Sequence, residues 1–124
     1  MTTETTINIC GKDVKMRYCA ATETGFERVT NKPIGIFMEQ GKAMMLDYIY
    51  LAYAAIIAAY SKNNEEPTVS SEEIMYEATP QEISDMMKAL IDLKKAWYHV
   101  PDVVKPETDN VSEDSEKNAE PPTT

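Results

Sequence analysis

The sequence predicts an α+β fold, mostly helical, in which an N-terminal β-hairpin packs on a small bundle of about three to four helices. The hairpin is indicated by "TINICGKDVKMRY", where apolar and polar residues alternate on both sides of a glycine. The helices are indicated by two long downstream stretches with apolar residues at helical spacing. A chain of 124 residues, 43% of them hydrophobic, has enough apolar surface for one modest core.

The charge distribution predicts one folded domain followed by a tail. Residues 101–124, "PDVVKPETDNVSEDSEKNAEPPTT", hold seven Asp and Glu against two Lys, and so carry five of the nine net negative charges. This segment is rich in Pro, Thr and Ser and has little to bury, so we expect a disordered acidic tail. Residues 1–100 are then expected to form a single, mildly acidic domain.

The hairpin is predicted to close through a two-residue turn at Gly11–Lys12. A type II′ turn requires glycine at its first central position, and this turn would supply it. It would pair Ile9 with Val14 and Ile7 with Met16. All four apolar side chains then share one face, which must dock on the helices because an isolated hairpin is marginal in water.

A short helix is predicted in "AATETGFERVTNKPI". Thr22 or Thr24 would be its N-cap, and Phe26 and Val29 would point inward. The helix is expected to stop at residues 31–33, Asn-Lys-Pro, because proline cannot continue it.

The most apolar stretch, "KAMMLDYIYLAYAAIIAAYSK" (residues 42–62), predicts a central core helix. Its uninterrupted apolar part runs only from Tyr48 to Tyr60, whereas a membrane span needs about 20 apolar residues. We therefore expect no membrane insertion, and we interpret Asp47 as a solvent-facing break in the pattern. Ala52, Ala55 and Ala59 form a strip of small residues that would let another element approach closely.

A second strip on this helix is rich in tyrosine, a residue favoured where one end of a side chain is dry and the other wet. Its position is equally compatible with a core rim and with a partner surface. The chain also has eight methionines, which fill cores more often than they form adaptable binding surfaces. The candidate partner-binding residues are Tyr50, Tyr53, Tyr60, Met44 and Met45.

Two further helices are predicted after the polar connection "SKNNEEPTVSS". The first would be capped by Ser70 or Ser71. The second has Thr79 at the N-cap, Pro80 at the first helical position and Glu82 in place to complete a capping box. Its inward stripe is predicted to contain Ile83, Met86, Met87, Leu90, Leu93 or Lys94, and Trp97.

Residues able to support catalysis or metal binding are sparse, so we expect no enzyme activity, no cofactor and no metal. The single histidine, His99, ends a helix, and Cys10 and Cys19 are too few and too far apart for a zinc site or a disulfide. The acidic balance and the absence of a basic stripe argue against nucleic-acid binding. The start "MTTETTINIC" does not resemble a secretory signal, so we expect a cytoplasmic protein.

The order of these elements resembles that of the tail assembly chaperones of long-tailed bacteriophages. In that family an N-terminal segment with a glycine turn precedes a helix that carries an aromatic residue, an acid and a "TGK-P"-like end. Gly11, Phe26, Glu27 and residues 30–33 stand in those places. The sequence departs from the pattern at Asn31, where the family has glycine, and by having Met or Tyr where Leu is usual.

The resemblance implies a role in virion morphogenesis that involves no catalysis. In that family the chaperone coats the helical tape measure protein in the host cytoplasm and keeps it soluble until tail tube subunits polymerise around it. Many have a longer form, made by a translational frameshift, that recruits the tail tube protein. This chain would be the short form, and self-association is compatible with coating a long client.

A different hypothesis follows from the charge alone. A small acidic adaptor or DNA-mimic protein would bind a basic protein partner through its carboxylates. Such binding would weaken steeply with salt, because ions screen interactions between exposed charges.

Overall fold

The structure, a computed structural model, describes residues 3–99 and contains the predicted N-terminal hairpin and helices. Its elements are β1 (Glu4–Ile9), β2 (Lys12–Arg17), α1 (Ala20–Thr30), a 3-10 helix (Ile34–Met38), α2 (Met45–Ser61), α3 (Ser71–Glu77) and α4 (Pro80–Tyr98). The α+β prediction is thereby confirmed. The predicted disordered tail, residues 101–124, lies outside the described residues, and the domain boundary at residue 100 stays a prediction.

Helix α2 occupies the centre of the described region. It packs against α1, β2, α3 and α4, and ten of its 17 residues are buried. The strip formed by Ala52, Ala55 and Ala59 is completely buried, which lets neighbouring elements lie close to the α2 backbone. The hairpin packs on α2 through β2 and on α4 through β1. The prediction of a central core helix is confirmed.

The turn of the hairpin differs from the prediction by one residue. β1 and β2 pair in an antiparallel register that sets Ile7 opposite Val14 and Thr5 opposite Met16, so the two turn residues are Cys10 and Gly11. Both have positive φ, 55° and 74°, as a type I′ turn requires. The predicted turn at Gly11–Lys12 is wrong. The predicted inward face is right, because shifting the register by two positions leaves side chains on the same face.

Contacts with distant residues fix the turn in this position. The Gly11 N–H donates to Glu82 Oε2 at 3.3 Å, and the Cys10 thiol donates to the Glu73 carbonyl at 3.6 Å. Lys12 Nζ donates to Glu73 Oε2 at 3.0 Å. The turn therefore docks on the junction of α3 and α4, which no local pattern in the hairpin could have shown.

Helix α1 begins earlier than predicted. Its N-cap is Cys19, and neither Thr22 nor Thr24 occupies that position. Thr22 lies in the first turn, fully buried, where its Oγ1 accepts the Cys19 N–H at 3.1 Å and donates to the Arg17 carbonyl at 2.7 Å. The threonine thus ties the end of β2 to the start of α1.

The buried face of α1 is also shorter than predicted. Phe26 is fully buried as expected, but Val29 is 65% exposed. Val29 follows Phe26 by three residues and so lies on the same side of the helix, but the fully buried positions of α1 end at Phe26 and the last turn leaves Val29 in contact with water. The helix ends where predicted, with Asn31 in the left-handed conformation at φ 57°.

The caps of the last two helices are confirmed. Ser70 accepts the Glu73 N–H at the start of α3. At the start of α4, Thr79 Oγ1 accepts the Glu82 N–H, and Glu82 Oε1 accepts the Thr79 N–H at 3.0 Å, which is a complete capping box. The core side of α4 is formed by Met86, Leu90 and Leu93.

Asp47 is buried, and its interpretation as a solvent-facing break is wrong. Only 2% of the residue is exposed, although it lies in the first turn of α2. Its Oδ2 accepts the Met44 N–H and its Oδ1 accepts Lys32 Nζ, both at 2.9 Å. The Met44 N–H and the Lys32 ammonium group lower the pKa of Asp47 against the opposing effect of burial. The carboxylate therefore caps α2 and joins it to the segment after α1.

Replacing Asp47 with Asn should lower the free energy of unfolding by about 1 to 3 kcal/mol at pH 7, because a buried, charge-assisted hydrogen-bond network is weakened. Since the pKa of Asp47 is lowered on folding, its contribution is complete above the unfolded-state pKa of about 3.9 and fades as the pH falls further. Urea unfolding at neutral pH and at about pH 3 would measure both effects.

The matched control is Asp92→Asn, which removes a carboxylate from the exposed face of α4. It should change the free energy of unfolding by less than about 0.5 kcal/mol. If Asp47→Asn lowers the free energy of unfolding equally at neutral and at acidic pH, Asp47 is not ionised in the folded protein.

Candidate functional site

A groove between α1 and α2, here called the α1–α2 groove, is the candidate site. Its volume is about 390 Å³. It is lined by Ala21, Thr24, Gly25, Arg28 and Val29 from α1, by Tyr50, Tyr53, Ala54, Ile57, Ala58 and Ser61 from α2, and by Ser71 from α3. Most of these side chains are small or apolar, so the groove suits apolar side chains of a partner.

The floor of the groove exists because small residues face each other across the two helices. A Cβ placed on Gly25 would lie 3.7 Å from the Ala54 Cβ, so the helices approach closely there. Larger apolar side chains stand on either side. Val29 is 65% exposed and Ile57 is 40% exposed, which leaves apolar surface in contact with water at the groove.

Two of the candidate residues identified from the sequence lie in this groove. Tyr50 and Tyr53 are half-buried and line its α2 side. The Tyr53 hydroxyl donates to the Val69 carbonyl at 3.0 Å, and burial raises the pKa of Tyr53. Tyr53 is thus held in position by the connection before α3 while it lines the groove.

Tyr60 lies elsewhere, in the core. It is 6% exposed, and its hydroxyl accepts the Lys15 N–H from β2 at 3.2 Å. The Lys15 ammonium group lies 5.2 Å from the centre of its ring. Tyr60 therefore joins the hairpin to α2 and offers little surface to a partner in this conformation.

Met44 and Met45 are strongly exposed, at 66% and 62%, at the start of α2. Neither lines the α1–α2 groove. The five candidate residues are therefore not brought together: two line the groove, one is in the core, and two lie at the N-terminal end of α2.

A second and larger groove, here called the α2–α4 groove, was missed by the sequence analysis. Its volume is about 620 Å³, and its lining is mostly apolar. It is lined by Phe37 and Met38 of the 3-10 helix, Tyr48 and Leu51 of α2, and Leu90, Ile91, Lys94, Lys95 and Tyr98 of α4. Three separate segments form it, so no single helical stripe indicates it.

The charged residues that line the α2–α4 groove are both lysines. Lys94 Nζ lies 5.2 Å from the centre of the Phe37 ring, and burial lowers the pKa of Lys94. At the end of the groove, the Tyr98 hydroxyl donates to Glu23 Oε2, and this bond raises the pKa of Tyr98 to about 12. The buried Tyr18 donates to the same oxygen at 2.7 Å, so Glu23 joins the last turn of α4 to α1 and to the residue that follows β2.

Within residues 3–99, no three His, Cys, Asp or Glu side chains are grouped so that they could hold a metal ion. No helix of that region has the length and apolar content needed to cross a membrane. His99 is the residue that ends α4, in the left-handed conformation. The chemistry offered by the described site residues is that of apolar and aromatic contact.

Comparisons of the chain with protein-family models, with curated proteins and with solved structures found no match.

The position of Tyr60 predicts that Tyr60→Phe will lower the free energy of unfolding by about 0.5 to 1.5 kcal/mol, because a buried hydrogen bond to the hairpin is lost. Chemical denaturation measures the change. Tyr50→Phe, at a half-buried position in the groove, is the control and should stay near wild type. Equal effects of the two substitutions would argue against a specific bond from Lys15 to Tyr60.

Gly25→Ala should raise the free energy of unfolding by about 0.5 to 1 kcal/mol, because alanine is the better helix former and its Cβ would meet Ala54 at an ordinary contact distance. Thermal denaturation would show a higher Tm. Gly11→Ala is the opposite control, and should destabilise because φ at this position is 74°. A destabilised Gly25→Ala would mean that α1 and α2 lie closer than described.

Proposed function

We propose that this protein is a non-enzymatic chaperone that binds amphipathic helices of a client protein at the α1–α2 groove. The observation that carries the proposal is the exposure of Val29 and Ile57 beside the small-residue floor at Gly25 and Ala54. An apolar groove between two helices suits the apolar stripe of a third helix. The resemblance to tail assembly chaperones makes the tape measure protein of a long-tailed bacteriophage the proposed client.

The residues around the α1–α2 groove favour a helical client over a small molecule. Tyr50 and Tyr53 line the α2 side with aromatic rings, while Arg28 and Thr24 line the α1 side with polar side chains. This mixture of an apolar floor and a polar rim is typical of protein interfaces. A helix with apolar residues at i, i+3, i+4 and i+7 would place them along the floor and its polar face toward water.

Coating a long client requires many contacts, each of which is weak enough to be released. Several copies bound in a row gain from effective concentration, so each groove can be shallow. Release is required when tail tube subunits replace the chaperone. In this proposal a longer frameshifted form brings the tail tube protein to the same client, self-association between copies is compatible with the coat, and all steps occur in the host cytoplasm.

The alternative, an acidic adaptor or DNA mimic, is less well supported by the carboxylates of the described region. Residues 3–99 contain fourteen Asp and Glu against ten Lys and Arg, a net charge of −4. Several of these acids already have structural partners. Asp47 binds Lys32, Glu73 binds Lys12, and Glu27 accepts the Ile34 N–H at 2.7 Å. Carboxylates used in this way do not form an array facing a partner.

The proposal is tested by co-expressing the full chain with the longest helical protein encoded immediately downstream, then measuring light scattering on the soluble fraction. A soluble complex with many copies of this chain per client would support it. A client that stays insoluble while this chain elutes alone would overturn it. A complex that dissociates steeply with added salt would favour the acidic adaptor instead.

Ile57→Lys should weaken binding to the client about tenfold or more, because the loss of about 1.4 kcal/mol of apolar contact corresponds to that factor. Titration of the purified client segment, followed by calorimetry, measures the change. The control is Tyr76→Lys, which alters an apolar residue that is 83% exposed on α3 and outside the groove. Equal weakening by both substitutions would show that the client does not bind in the α1–α2 groove.

A further inference from the structure

We propose that the α2–α4 groove binds the chain's own residues 100–109, with Val103 and Val104 against its apolar lining and Asp102 beside Lys94 and Lys95. This surface is separate from the α1–α2 groove, so the inference goes beyond the proposed function. The occupant is identified by where the described chain ends, by how far the next residues can reach, and by charge.

The described chain ends at the groove. Tyr98, in the last turn of α4, is one of the lining residues, so residue 99 is the first beyond the groove's edge. The shared bond to Glu23 holds Tyr98 in that position. The following residues therefore start beside the groove and need no long connection to enter it.

The end of α4 favours a return of the chain along the helix. His99 has φ 58° and ψ 37°, and its N–H donates back to the Ala96 and Lys95 carbonyls. This left-handed cap commonly brings the next apolar residue, here Val100, against the last turn of the helix. Proline at position 101 cannot continue α4, and the residue before a proline is biased toward extended conformations, so the sequence predicts that the chain leaves the helix here.

The reach of the segment matches the length of the groove. Along α4 the lining extends from Tyr98 back to Ile91 and Leu90, which is about 11 to 12 Å at 1.5 Å per residue. An extended chain of four or five residues after His99 spans about 13 to 18 Å. Val103 and Val104 can therefore reach the Leu90 and Ile91 end of the groove, with Asp102 passing the two lysines.

Charge and tethering favour this occupant over an unlinked peptide. The charged lining residues of the groove, Lys94 and Lys95, are both positive. Residues 101–109 contain three acids and one lysine, a net charge of −2. Because the segment is covalently attached, its effective concentration at the groove is of millimolar order, so a weak interaction suffices for occupancy.

The consequence is a division between the two apolar surfaces. The chain's own segment covers the α2–α4 groove, including the 46% exposed Ile91, while the α1–α2 groove stays open. A segment whose composition predicts disorder can still order locally when a tethered partner surface is present.

The test is methyl NMR spectroscopy of the full chain with labelled Ile, Leu and Val. We expect nuclear Overhauser contacts between the Ile91 methyl groups and those of Val103 or Val104. In the double variant Val103→Asp/Val104→Asp these contacts should be lost and the Ile91 and Leu90 signals should shift. Val111→Asp, which converts a valine outside residues 100–109 to aspartate, is the control and should leave the Ile91 and Leu90 signals unchanged.

A second readout uses a hydrophobic fluorescent dye, which needs no assignment. Dye fluorescence should rise in the double variant and stay at the wild-type value in Val111→Asp. Absence of contacts between Ile91 and the valines, with identical Ile91 signals in all three proteins, would overturn the proposal. The proposal would also be overturned if the Ile91 signals change with protein concentration but are the same with and without the valine substitutions. That result would identify a second copy of the chain as the occupant.

Discussion

The structure depends on one constraint: α2 is apolar on more than one side and must be covered on those sides. A helix of this kind is stable in water only if several elements remove it from solvent. The hairpin, α1, α3 and α4 do so. The fully buried alanines of α2 permit close packing. Polar groups at both ends of α2 bind it to the surrounding elements. Asp47 joins it to Lys32 after α1, and Tyr60 joins it to β2.

The neighbouring elements leave part of α2 uncovered. Both proposed binding surfaces lie along these uncovered parts. Small elements cannot enclose a long helix on all sides, so apolar surface remains along the seams beside α1 and α4. The two grooves differ in character. The α1–α2 groove has a floor of small residues and faces open solvent, as suits a transient helical client. The α2–α4 groove has two lysines in its lining and begins where α4 ends, as suits a tethered acidic segment.

Whether a feature could be predicted from the sequence depended on how far apart along the chain its interacting residues lie. Helix α4 was correctly delimited because Thr79 and Glu82 cap it through neighbours in sequence. Asp47 was misjudged because its ion-pair partner is fifteen residues away, and the turn at Cys10 and Gly11 was misplaced because its partners are more than sixty residues away. The candidate site followed the same rule. Tyrosines on one helix were identifiable, whereas a groove assembled from three segments was not.

The docking of the hairpin turn on the start of α4 has a consequence for biosynthesis. The Gly11 N–H finds Glu82 only after 71 further residues have been added, which takes about 4 to 14 s at ordinary rates of translation. During that interval the hairpin has no helix α4 to cover it, and a two-stranded ribbon alone is marginally stable. The native core is thus completed late, and the N-terminal strands depend on the last helix of the described region to become part of it.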